Sequence, residues 1–74
     1  MADKYLDVKG LNCPSPIIQA KRALNEVDSG GTLEIHSTDP ASVKDFEILC
    51  RSLGSKLLDS AEEEGVFRFV IQKK

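Results

Sequence analysis

Two short segments in which apolar and polar residues alternate place the strongest constraint on the fold of this chain. Residues 5–9 and 32–37 both show the period of a strand that buries one of its two faces. Because neither segment is apolar throughout, one face of the sheet should be covered and the other largely exposed to solvent. We expect the inward-pointing residues of these strands to be Leu6, Val8, Leu33 and Ile35.

A helical pattern follows each of these two strands. After the first strand, apolar residues recur at the spacing of one helix face, at Ile17, Ala20, Leu24 and Val27. After the second strand, Asp39 followed by Pro40 is a helix-start signal, because the carboxylate can accept hydrogen bonds from first-turn N–H groups. This second helix should end at Gly54 and bury a face made of Val43, Phe46, Cys50 and Leu53.

The remaining residues predict a β-hairpin. We expect a strand over about 56–61, a turn through 62–65, and a last strand with Phe67, Phe69 and Ile71 on one face. The element order is therefore βαβαββ. With right-handed crossovers and both helices on the single apolar face, the chain should adopt an α+β fold. This fold is a two-layer α/β sandwich, with two helices on one face of a four-stranded mixed sheet.

Length and charge limit the classes of function. At 74 residues the chain has the length of one small domain, and we predict a single domain over residues 1–74. Ten Lys and Arg against twelve Asp and Glu give a net charge of −2, which argues against direct nucleic-acid binding. No apolar run approaches the roughly 20 residues of a membrane span, and residues 1–4 contain no signal-peptide core. We expect a cytoplasmic monomer that does not associate with membranes.

Cysteine is the most chemically promising residue type in this composition. The chain has two Cys, one His and one Tyr, and the two cysteines lack the short paired spacings of a structural zinc site. We therefore predict no structural zinc site. Cys50 lies in the apolar stripe of the second helix, so we expect it to be a buried and inert thiol.

Cys13 is the candidate reactive residue. It lies where the first strand gives way to the first helix, in the segment Gly10-Leu11-Asn12-Cys13-Pro14-Ser15-Pro16. Proline is tolerated in the first helical turn, so Pro14 and Pro16 should fix the helix start and make Cys13 its N-cap. Free backbone N–H groups and the helix dipole then favour the thiolate, and we predict a lowered pKa for Cys13. Gly10 and Asp39 are assigned as supporting residues of this site.

Two common classes of cysteine enzyme do not fit this pattern. A dithiol oxidoreductase needs a second cysteine just after the first, where this chain has Ser15 and Pro16. A cysteine protease needs a base, and the sole histidine, His36, should lie with Glu34 on the sheet face away from the helices. A carboxylate such as Asp39 would oppose thiolate formation, so we do not assign it a catalytic role. An isolated cap cysteine is better suited to transferring a group.

Motifs along nearly the whole chain match one family. They are Leu6-Asp7, Gly10-Leu11, Cys13-Pro14-Ser15-Pro16, Thr38-Asp39-Pro40, Phe46, Cys50, the Gly54 region and the closing strand over 67–71. In these motifs, in its length and in its element order, the chain resembles the TusA family of small sulfur carriers, also called SirA-like proteins.

The resemblance implies a persulfide carrier, a sulfurtransferase of the carrier type with no turnover of a small-molecule substrate of its own. It also implies that no metal and no organic cofactor is required. Cys13 would take sulfane sulfur from a cysteine desulfurase or a rhodanese-like donor and pass it to a DsrE-like or other thiol acceptor protein. Relatives serve tRNA thiolation, dissimilatory sulfur oxidation or molybdenum-cofactor supply, and the sequence does not choose among these routes.

Two alternatives stay open at this point. One is a non-catalytic regulatory or interaction module on the same fold. The other is a redox sensor that forms a Cys13–Cys50 disulfide, which requires the two Cα atoms to lie within about 7 Å of each other.

Overall fold

The structure is a computed structural model that describes residues 3–11 and 15–74. Its elements confirm the predicted order, and the bounds of the second strand are those expected from its alternation. They are β1 (Lys4–Val8), α1 (Ser15–Asn25), β2 (Thr32–Ser37), α2 (Ser42–Leu53), β3 (Lys56–Glu63) and β4 (Val66–Gln72). No helix within the described ranges is long and apolar enough to cross a membrane.

The four strands form one mixed sheet in the order β1-β2-β4-β3. The first two strands are parallel, with Val8 beside Ser37, and β4 runs antiparallel to both of its neighbours. Ser37 is in turn paired with Phe67 at the start of β4. The carboxyl ends of β1 and β2 therefore lie at the same end of the sheet as the β3–β4 turn.

Both helices cover the same face of this sheet, as predicted. The alternating residues Leu33 and Ile35 of β2 and Phe69 and Ile71 of β4 are fully buried, and they share one core with α1 and α2. The ring of Phe46 from α2 lies against that of Phe69, with 4.9 Å between centroids. The sequence prediction missed two members of this core, Ala23 and Leu49.

The other face of the sheet is open and carries polar pairs. His36 and Glu34 lie there as predicted, with 2.6 Å between His36 Nε2 and the Glu34 carboxylate. The ring of Tyr5 packs edge-on against the imidazole, with 4.9 Å between centroids. Arg68 donates to the Asp59 carboxylate across the β3–β4 pair at 3.3 Å. Polar side chains on the open face thus contact one another, although the helices do not cover this face.

The hairpin is longer and its turn tighter than the sequence indicated. β3 extends to Glu63, and only Glu64 and Gly65 form the turn, with φ angles of 51° and 81°. Two successive positive φ angles define the type I′ geometry, whose twist matches that of the flanking strands. The run of glutamates therefore forms the end of a strand as well as the turn.

The second helix begins later than predicted. Its first residue is Ser42, and its N-cap is Ala41, which makes no side-chain capping hydrogen bond. The expectation that Asp39 caps a helix beginning at Pro40 is therefore wrong in position. The carboxylate of Asp39 accepts from the N–H of Ala41, two residues on, so Asp39 and Pro40 form a turn that precedes the helix. The predicted end of the helix at Gly54 is confirmed.

The Phe46–Phe69 contact leads to a prediction about stability. Replacing Phe46 with Ala should lower the free energy of unfolding by about 3 to 5 kcal/mol, because the substitution leaves a cavity in a core that has only one covered sheet face. Urea unfolding followed by circular dichroism measures this loss. The matched control is Ile48→Ala on the same helix, where the side chain is 54% exposed. This control should cost about 1 kcal/mol or less. Equal losses for the two variants would contradict the prediction.

Candidate functional site

The flanks of the cysteine motif define where the candidate site lies. Cys13 and Pro14, which the sequence assigns to the site, lie outside the described residues. Cys13 is two residues along the chain from both Leu11 and Ser15. The prediction that the first helix starts at Cys13 and Pro14 falls on the same undescribed segment.

The chain turns sharply as it leaves β1. Gly10 has a φ angle of +85°, a conformation that residues with a side chain rarely adopt. Its N–H donates to the hydroxyl oxygen of Thr38 at 2.9 Å. The N–H of Leu11 donates back to the carbonyl of Val8 at 3.1 Å. These two bonds fix the direction in which the chain approaches the motif.

On the other side of the motif, α1 opens with Ser15 and Pro16. Pro16 lies in the first turn, where its missing N–H removes no intrahelical hydrogen bond. Its ring is also buried against the core, a packing role that the sequence did not indicate. Packing of the Pro16 ring therefore stabilises the position of the amino end of α1 in the domain.

A second loop lies beside the first, at the end of β2. The hydroxyl oxygen of Ser37, a fully buried residue, accepts from the N–H of Asp39 at 3.2 Å. The carboxylate of Asp39 accepts from Ala41 at 3.1 Å, and its carbonyl accepts from both the N–H and the hydroxyl of Ser42. This loop is thus held by its own hydrogen bonds. Sequence reasoning missed Ser37 and Ser42, because small polar residues at a strand end give no distinct signal.

Parallel pairing brings these two loops together. Val8 lies beside Ser37 in the register of β1 and β2, and the Gly10–Thr38 hydrogen bond continues the contact beyond the strand ends. Among the predicted site residues, Gly10 and Asp39 are therefore carried on adjacent loops at one end of the sheet. The glutamate-rich turn of the β3–β4 hairpin lies at this same end.

Cys50 is placed as predicted, in the core. It lies on α2 with an exposed fraction of 4% and is a free thiol. Burial raises the pKa of the Cys50 thiol, because desolvation disfavours the thiolate. At neutral pH this thiol is therefore protonated and shielded from reagents.

The fold of this chain is similar to that of a solved structure. The crystal structure of a SirA-like protein from Desulfitobacterium hafniense matches with a TM-score of 0.82 at 26% sequence identity, covering 92% of this chain and 93% of that one. The fold is thus that of a SirA-like protein.

The sequence comparisons are more specific. A family model described as sulfurtransferase TusA matches residues 4–73. The sulfur carrier protein TusA of Allochromatium vinosum is 49% identical over 71 residues, which are 96% of this chain and 93% of that protein. A putative sulfur carrier protein of Neisseria meningitidis serogroup B is 46% identical over 74 residues, the full length of both. The chain belongs to the TusA family, and this membership supports a sulfur carrier role.

The state of Cys50 leads to a prediction about labelling. In a Cys13→Ser variant, iodoacetamide at neutral pH should leave Cys50 unmodified while the protein is folded, and should label it once urea unfolds the chain. Burial raises the pKa of Cys50 in the folded protein. Labelling of the native protein should therefore appear only when the pH exceeds the ordinary thiol pKa of about 8.5. Intact-protein mass spectrometry counts the labels. Rapid labelling of the folded variant at neutral pH would contradict the burial of Cys50.

Proposed function

We propose that this protein is a persulfide carrier in which Cys13 holds the transferred sulfur. The observation that carries the proposal is the match to the TusA family over residues 4–73, with the motif cysteine between the end of β1 and the start of α1. We further propose that residues 1–74 act as a single carrier domain in the cytoplasm and that the protein is a monomer.

The reaction consists of two exchange steps. In the first step, the Cys13 thiolate attacks the outer sulfur of a persulfide on the donor protein. A new S–S bond forms on Cys13, the donor's S–S bond breaks, and the donor's inner sulfur leaves with the electron pair as a thiolate. In the second step, an acceptor thiolate attacks the outer sulfur on Cys13 and releases the Cys13 thiolate. Each step follows the chemistry of thiol–disulfide exchange, and neither needs an external oxidant or reductant.

The position before α1 favours the thiolate form of Cys13. This thiolate is the nucleophile of the first step and the leaving group of the second. The free N–H groups and the positive dipole end of a helix favour negative charge within the first turn. A cysteine in this environment has a lower pKa than an ordinary thiol, so more of it is ionised at neutral pH. A low pKa also makes Cys13 a good leaving group in the second step.

The burial of Cys50 supports a carrier rather than a disulfide-forming protein. An accessible second thiol would attack the Cys13 persulfide, form a disulfide and release sulfide, so the carried sulfur would be lost. Cys50 is 4% exposed and its pKa is raised by burial, so it is a poor nucleophile in the folded protein. The same property argues against the redox-sensor alternative.

Exposed apolar side chains on both flanks of the motif offer contact area for partner proteins. Leu11, before the motif, is 38% exposed, and Ile18, in the first turns of α1, is 46% exposed. A carrier must release its partners, so its interfaces should be small, below about 1,200 Å². We propose a cysteine desulfurase or rhodanese-like protein as donor and a DsrE-like or other thiol protein as acceptor.

We propose two routes for the transferred sulfur. The relay would deliver sulfur for tRNA thiolation or take part in dissimilatory sulfur oxidation. With a net charge of −2, the chain lacks the basic excess that holds RNA phosphates, so in a tRNA route another protein should bind the RNA.

The carrier proposal predicts sulfur loading at a single residue. After incubation with a cysteine desulfurase and cysteine, intact-protein mass spectrometry should show one added sulfur atom that a reductant removes. Cys13→Ser should abolish this loading without loss of the fold, because serine provides no thiolate. Cys50→Ser is the matched control and should load as the wild type does.

Two results would overturn this proposal. Loading that persists in Cys13→Ser would place the sulfur elsewhere. Loading on neither cysteine, repeated with a rhodanese-type donor to exclude an unsuitable partner, would favour the non-catalytic interaction module. In that case, partner binding in a pull-down should be unaffected by Cys13→Ser.

A further inference from the structure

We infer that a cavity at the end of the sheet opposite the motif flanks binds a small organic anion with an apolar body, such as a carboxylate on a short alkyl chain. This ligand site is separate from the proposed sulfur transfer, and it requires neither Cys13 nor a partner protein. Three features support it: the position of the cavity, the apolar surface inside it and the charge around it.

The cavity lies where the carboxyl ends of the two helices meet the chain that follows β4. Its volume is about 430 Å³, within the roughly 300–1,000 Å³ of small-molecule sites. Its lining includes Lys21 and Leu24 of α1, Leu53 of α2, and Lys73 and Lys74. Leu24 follows Ser15, the first residue of α1, by nine residues, or about 14 Å along the helix axis. The cavity and the flanks of the motif are therefore at opposite ends of this helix.

Leu53 gives the cavity an apolar wall that the core does not cover. The apolar stripe of α2 predicted that Leu53 would be buried with Phe46 and Cys50, and for Leu53 this prediction is wrong. Phe46 and Cys50 are buried, whereas Leu53, the last residue of the helix, is 43% exposed. It borders the cavity instead. An apolar group bound there would remove part of the Leu53 side chain from water, which favours binding.

Lys73 provides a fixed positive charge at the cavity. Its N–H donates to the carbonyl of Gly31 at 2.8 Å, and its carbonyl accepts from the N–H of Gly30 at 2.9 Å. Its ammonium donates to the carbonyl of Val27, just beyond α1, at 2.8 Å. An ammonium has three N–H donors, so two remain for a bound anion. The side chain is already ordered, which reduces the entropy that binding would cost.

Two further lysines add to this charge. Lys21 and Lys74 also line the cavity, and none of the side chains that line it is acidic. Lys74 lies beside Gly54, the C-cap of α2, where a positive charge is favourable for the helix itself. Lys21 precedes the last turn of α1, so a helix end does not account for its position. In a chain with a net charge of −2, this local positive excess favours an anion.

The two properties together select the class of ligand. A simple inorganic anion would match the lysines and leave Leu53 exposed, and an uncharged apolar molecule would leave the lysines without a counter-charge. A cation would be repelled by all three ammonium groups. An anionic head on a short apolar body is the chemistry that uses both the charge and the apolar wall.

The test titrates the isotope-labelled protein with octanoate, below the concentration at which octanoate forms micelles, and follows the backbone amides by NMR. Saturable shifts should appear at Leu24, Leu53 and Ser55, which also lines the cavity. Acetate, which carries the charge without the chain, should bind about tenfold more weakly or less. Octylammonium, which carries the chain with the opposite charge, should cause no saturable shift at these residues.

Two variants separate the charge from the apolar wall. Lys21→Gln should weaken octanoate binding about fivefold, the upper range for an exposed ion pair. Leu53→Ala should weaken it by a similar factor, because less apolar surface is buried on binding. The matched control is Lys44→Gln, an exposed lysine of α2 away from the cavity, which should bind as the wild type does.

Four outcomes would overturn this site: no saturable shift with octanoate, an equal response to octylammonium, equal weakening by Lys44→Gln, or shifts centred on Leu11 and Ile18 at the motif flanks. Circular dichroism checks folding, and Lys21→Ala replaces Lys21→Gln if the latter does not fold. Octanoate binding involves no sulfur donor. A protein that binds octanoate and fails to load sulfur would refute the carrier and keep this site, and the converse result would do the reverse.

Discussion

Parallel pairing of β1 with β2 is the constraint on which the rest of the structure depends. It sets Val8 beside Ser37, so the two loops that leave these strands emerge at one end of the sheet. The helices that follow must then return along the same face, where they bury the alternating residues of the sheet. The antiparallel strand β4 completes this core beside β2, and its turn with β3 reaches the end that carries the motif flanks.

The helices cover one face of the sheet, so the two faces of the sheet differ in character. On the helix side, apolar side chains such as Phe46 and Phe69 provide most of the stabilisation, as expected for a small domain. On the open side, Tyr5, His36 and Glu34 satisfy one another without a covering layer. The flanks of the cysteine motif lie at the end of the sheet, where the loops that follow β1 and β2 meet.

Much of this architecture was predictable from residue patterns, and the exceptions share a physical cause. Alternation placed β2 correctly, and the apolar stripe placed Cys50 in the core. The start of α2 was placed too early, because the Asp39 carboxylate bonds Ala41 in a preceding turn. The contact between Thr38 and Gly10 was missed, since it depends on the register of two strands and on no local pattern. Local signals thus predicted elements, while the arrangement around the motif required the tertiary structure.

The separation of 28 residues between Gly10 and Thr38 has a consequence for the maturation of the protein. During synthesis, the motif cysteine is translated before β2. The approach to the motif is fixed only after β2 has been translated and has paired with β1. The turn at Gly10 is therefore completed only when β1 and β2 have paired. A chain that has not yet paired β1 with β2 lacks the Gly10–Thr38 hydrogen bond at the flank of the motif.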